Sequence, residues 1–166
     1  MTTTTTAVPA VTDYLVTAAA AALPGVRVFD GPQPVKAVQA IEQALWIGCD
    51  PANLADVAAG ATQDWPVSDF GRTKDEDGYI VCAAQSWSGS TVIKTQRDRA
   101  DAIIAAVELL LRGTPQQGGP GDASMGGLVL WSGVNGPYEW YPHQADGGAR
   151  VLVVFRVAYR ARLVIS

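Results

Sequence analysis

One histidine, two cysteines and no apolar run long enough for a membrane are all that this 166-residue chain offers of three common functional signatures. A lone imidazole cannot build a metal site without other soft ligands beside it, and His143 follows Pro142 at the end of an aromatic stretch, where a loop-end histidine belongs. Cys49 and Cys82 are too few and too far apart for a zinc motif or a disulfide framework, so both are expected as buried free thiols. No window nears the ~20 uninterrupted apolar residues of a membrane span. The run from Ala18 to Leu23 is short, lacks a basic leader and follows a threonine-rich start, which argues against a secretory signal and for a protein made and used inside a cell. Basic charge is scarce too: 12 Lys and Arg against 16 Asp and Glu leave a net charge of -4. That is the wrong sign for gripping phosphates, although it leaves room for local basic patches.

Reaction chemistry is equally thin. Ser86, Ser88 and Ser90 cluster near a turn without a Gly-x-Ser-x-Gly elbow or an acid-base partner. Asp75, Glu76 and Asp77 fail the spacing of a calcium loop and read as a solvated turn. The glycines between Gly113 and Gly127 neither follow a strand nor open a helix, and no Gly-Lys-Ser/Thr accompanies them, so they signal flexibility and not a phosphate cradle. Neither a catalytic residue nor a cofactor is expected.

What the chain does contain is the patterning of one folded domain, large enough to bury roughly 70% of its unfolded surface. Residues Met1 to Ala10, Thr-rich with nothing to bury, are expected as a flexible arm before a domain covering 11–166. Thr12 or Asp13 can cap a first helix ending at Leu23, before Pro24-Gly25. Strands are expected at Val26 to Asp30 and at Gln43 to Gly48, with a short helical turn within 52–61. A further strand around Thr62 to Phe70, at an edge because of Pro66, should turn through Lys74 to Gly78 into a strand from Tyr79 to Trp87. Spacings of three and four from Val92 to Leu111 predict an amphipathic helix over 91–112. The segment Thr114 to Gly127 reads as a loop too polar to bury, and Leu128 to Trp131 and Tyr138 to Tyr141 as two strands joined around Asn135-Gly136.

The last strand, Val151 to Ile165, carries the clearest pattern. Val151, Val153, Phe155, Val157, Tyr159, Ala161 and Leu163 alternate onto one face, while Arg156, Arg160 and Arg162 share the other. That charged face belongs either in water, where it discourages edge pairing, or against acidic groups of another polypeptide. Trp131, Trp140 and Tyr141 likewise have two readings, a stacking platform for single-stranded nucleic acid or sugar, and packing in a core or subunit interface. Glu139 and Asp146 nearby favour packing.

The order of elements resembles the tail-terminator proteins of long-tailed bacteriophages. The likeness rests on the Phe29-Asp-Gly-Pro32 turn, the Leu45-Trp-Ile-Gly48 strand with Asp50-Pro51, the Gln85-Ser-Trp87 strand end, the helix carrying Arg97-Asp-Arg-Ala-Asp101 and the long final strand. It implies an α+β fold, a single mixed or antiparallel β-sheet flanked by an N-terminal helix and one long amphipathic helix. It also implies a homo-oligomeric ring, usually a hexamer, capping the tail tube at the head-tail junction of the virion. Such a ring stops tube polymerisation, offers the head its docking surface through a neck or stopper protein, and passes DNA without binding it. Under this resemblance Arg156, Arg160 and Arg162 are candidates for contacts between ring neighbours. Asp75, Glu76, Asp77, Gln116, Gln117 and Asp122 are candidates for docking to tube or neck. Another head-tail connector, a tail tube protein or an unrelated binding module are the alternatives.

Overall fold

The computed structural model describes residues 5–33, 41–66, 71–112 and 121–164. Within them the chain forms α1 (Val8–Ala22), β1 (Arg27–Asp30), β2 (Gln43–Ile47), β3 (Ala59–Asp64), β4 (Thr73–Ser88), α2 (Ile93–Arg112), β5 (Trp131–Ala145) and β6 (Gly148–Val164). The strands make one mixed sheet, so the fold is α+β. The alternating final segment is its central scaffold. β6 pairs antiparallel with β4 along its whole length, from Gly148's neighbour Ala149 opposite Ser88 to Val164 opposite Thr73, and carries β5 on its other side. The far edge of β4 is shared: β3 pairs with its first half and β2 with its second. β1 adds to β2 in parallel.

Alternation on the strands then dictates two layers. Both helices cover one face, where Val11 and Leu15 of α1 and Ile103, Ile104, Val107 and Leu111 of α2 pack on Ile80, Cys82, Val153, Phe155 and Val157. Each such fully buried side chain contributes roughly 1.5–3 kcal/mol. The opposite, outer face holds a smaller cluster of Phe29, Trp46, Cys49, Val81, Ala83, Leu152 and Val154. There the Phe29 and Trp46 rings lie with centroids 5.5 Å apart.

The first two strands, the long helix and the final strand fall where the sequence predicts them, and both cysteines are buried and free. Elsewhere the structure differs. α1 begins at Val8, not after Thr12, because Pro9 suits a first turn and the backbone of Ala7 finds a partner in β4. Residues 8–10 are therefore helical, and Ala7 is buried. Lys74 to Gly78 is not a hairpin turn but the interior of β4, and Pro66 lies beyond the end of β3. Gly78 is needed there because the ring of Tyr159 fills the place a β-carbon would take. The two strands expected around Asn135-Gly136 are one, β5, with a register shift between Asn135 and Glu139 and a cis Gly136-Pro137 bond. The segment 52–58 forms turns without a helix, where Asp50 Oδ1 accepts from the backbone of Ala52 and Asn53. In the stretch expected to be too polar to bury, Met125 belongs to the main core.

Candidate functional site

β6 presents Arg156, Arg160 and Arg162 on the outer face, and pairing with β4 decides what meets them. Asp75 stands opposite Arg162 and Asp77 opposite Arg160. The Asp75 carboxylate accepts a forked pair of hydrogen bonds from Arg162, 2.7 Å from Nε to Oδ1 and 3.0 Å from Nη2 to Oδ2. Arg160 reaches the same carboxylate at 3.6 Å and Asp77 at 3.7 Å. The hydrogen bond from Arg162 is the main reason the Asp75 carboxyl sits below its usual range. Arg156 lies over the ring of Tyr79, its guanidinium carbon 4.5 Å from the centroid. The acids expected at a docking turn and the arginines expected to seek a neighbour's acids thus meet within one chain. About half of the Arg160 and Arg162 side chains remains exposed, so the face is still available to a partner.

Glu76, between those two aspartates, points the other way, is fully buried and is no docking residue. Oε1 accepts from the Ala7 backbone at 2.8 Å, the Tyr159 hydroxyl at 2.8 Å and the Thr6 hydroxyl at 3.0 Å. Oε2 accepts from the Gln63 carboxamide, which also donates to the Thr5 carbonyl. Burial pushes the Glu76 carboxyl up, but the hydrogen bonds from Gln63, Ala7, Tyr159 and Thr6 outweigh it and hold the group below the usual range. Burial, then the bond and charge of Glu76, push the Tyr159 phenol well up. The carboxylate also faces the positive N-terminal end of α1, which has no side-chain cap of its own.

Asp122 is occupied in closing its own turn, accepting from the Ser124 backbone and hydroxyl and from the Gly126 backbone. Those bonds, the Ser124 hydroxyl foremost, draw its carboxyl below the usual range. Gln116 and Gln117 lie outside the described residues. The serine cluster is structural: the Ser86 hydroxyl donates to Gln96 at 2.8 Å, and Gln96 donates to Ser88 at 2.7 Å. Burial pushes the Cys82 thiol up to about 12, the opposite of an activated nucleophile. Among the described residues no three His, Cys, Asp or Glu side chains come together as a metal site, and no helix is long and apolar enough to cross a membrane. The aromatic trio does not form one platform, because Trp131 and Tyr141 pair with outer-face residues of β6 while Trp140 pairs with inward-facing Val153.

Register instead builds a cleft on the outer face, at the end of the sheet where β5 turns into β6. One cross-strand row reads Trp87, Arg150, His143, and the next Gln85, Leu152, Tyr141. These rows floor a concavity of about 800 Å³, walled on the far side by Pro51, Ala52 and Leu54. Gln85 is only 6% exposed, yet its carboxamide has no hydrogen-bond partner, and Arg150 makes no ion pair among the described residues. The sequence places Gln85 and Trp87 at the end of one strand, but nothing in it marks which residues of β5 and β6 stand beside them. Against known proteins, no family model matches this sequence, and no curated protein matches it either.

Proposed function

We propose that this protein is a structural virion protein of the tail-terminator kind, assembling as a homo-oligomeric ring that caps the tail tube. The observation that carries the reading, beside the order of elements, is the pair of unlike sheet edges. A head-to-tail ring needs two different surfaces on opposite sides of a subunit. β5 ends the sheet on one side, and β1 and β3 end it on the other. β5 is long, and Trp131, Tyr138, Trp140 and Tyr141 are each at least 40% exposed along it, with exposed Leu128 and Leu130 just before it. An edge of this kind is an association surface unless something protects it. Trp131 stands opposite Arg160, so the edge runs directly into the face of Arg156, Arg160 and Arg162 and extends the contact.

In this reading neighbours join through β5 and the arginine face, while the tail tube protein and a neck or stopper protein dock on the ring's two ends. The half-exposed turn around Asp122 supplies one docking surface. The excess of acidic residues suits a channel that passes DNA without retaining it. Electron microscopy of the purified protein mixed with headless tails tests the proposal. Ring density at one tube end is expected, and tubes that stay bare at both ends would overturn it.

A further inference from the structure

The cleft on the outer face shares Tyr141 with the edge used in that ring-forming reading, but the chemistry of its floor is that of a recognition site. Gln85 lines the cleft with its side chain more than nine-tenths buried, and its carboxamide, reachable by water from the cleft, makes no hydrogen bond among the described residues. A carboxamide offers one acceptor and two donors, the complement of a main-chain amide. In the adjoining row stand Trp87 and two basic side chains, Arg150 and His143, and Tyr141 flanks Gln85 in its own row. The concavity of about 800 Å³ lies within the roughly 300–1,000 Å³ usual for ligand clefts. Across three strands its floor is about 10 Å wide, the length of about three extended residues.

We propose that this cleft binds an extended peptide segment of a protein partner. The segment presents a main-chain amide to Gln85, an aromatic or aliphatic side chain to Trp87 and Tyr141, and a carboxylate to Arg150 and His143. A nucleic-acid strand fits less well, since Glu139 accepts the hydrogen bond of the Tyr141 hydroxyl at 2.7 Å and the charges of Asp50 and Asp56 also act on that hydroxyl. Phosphates would meet those acids.

The test is a solution NMR titration of the full chain with the capped tetrapeptide acetyl-Ala-Phe-Asp-Ala-amide at millimolar concentration. The expected shifts concentrate on the Gln85 side-chain amide and the Trp87 indole N–H. Arg150→Glu, a change at an exposed position, weakens binding about tenfold or more, as does asparagine in place of the peptide's aspartate. Gln85→Leu weakens binding severalfold while leaving the thermal midpoint unchanged or higher, because no hydrogen bond to the described residues is lost. That opposition separates a recognition residue from a structural one. The proposal fails if neither resonance moves, or if the asparagine peptide binds equally well. It fails too if acetylaspartate alone binds as tightly, which marks a small-carboxylate site, or if a short oligothymidylate binds more tightly than the peptide.

Discussion

Glu76 shows how far a single side chain can depart from its neighbours in sequence. Flanked by two aspartates, it looks like part of a solvated acidic turn, yet strand alternation sends it inward while Asp75 and Asp77 go out to the arginines. Replacing it with alanine strands the Ala7 amide and the Tyr159 hydroxyl in the interior, and Glu76→Ala should cost about 2–5 kcal/mol in urea unfolding. Its carboxyl is held below the usual range when folded. The stability it contributes is therefore fully present above the unfolded value of roughly 4.3 and is lost as pH falls through the lower folded value. The gap in unfolding free energy between wild type and Glu76→Gln should be largest near neutral pH and shrink in acid, and a constant gap would show that the carboxylate charge is not what matters. Gly78→Ala, beside it, drives a methyl group into the Tyr159 ring and should lose about 1–3 kcal/mol in the same assay.

At the scale of elements, what was legible depended on whether a pattern was local. β6 could be read because burial on one face leaves a period-two trace over Val151 to Leu163, and α2 because its stripe repeats over five turns' worth of sequence. Phe155, at the middle of β6 and fully buried, should cost about 3–5 kcal/mol as alanine. β4 and β5 depart from the expected turns at Asp77-Gly78 and Asn135-Gly136, whose turn chemistry is genuine but is overridden by pairing with β6. The same long-range register created the cleft and paired Asp75 with Arg162, neither of which any local pattern announces. A charge reversal in β6 therefore acts first within the chain. Arg162→Glu should slightly lower the melting midpoint of the isolated subunit, and Asp75→Arg in the same chain should recover most of the loss. Only an assembly defect that survives in the double variant belongs to a neighbour.

For the whole molecule the decisive asymmetry is between the two sides of the sheet. β5 carries exposed aromatic residues along an unpaired edge, whereas β1 is only four residues long and β3 carries no aromatic residue. Tyr138→Lys with Trp140→Lys should leave the circular dichroism spectrum and melting midpoint close to wild type while removing concentration-dependent species in sedimentation velocity. Unchanged sedimentation would place any ring contact elsewhere. Shortening the segment after α2 is informative only if it stops before Met125, since that residue is part of the core.

The anchoring of Thr5, Thr6 and Ala7 by Gln63 and Glu76 ties the segment just before α1 to the interior. Trimming an N-terminus is ordinarily a neutral edit, the kind made when a protein is recloned or clipped by a protease. Here removal through Ala7 would leave an ionised carboxylate enclosed with two of its four donors gone, so a cut at the margin would behave as a substitution at the centre.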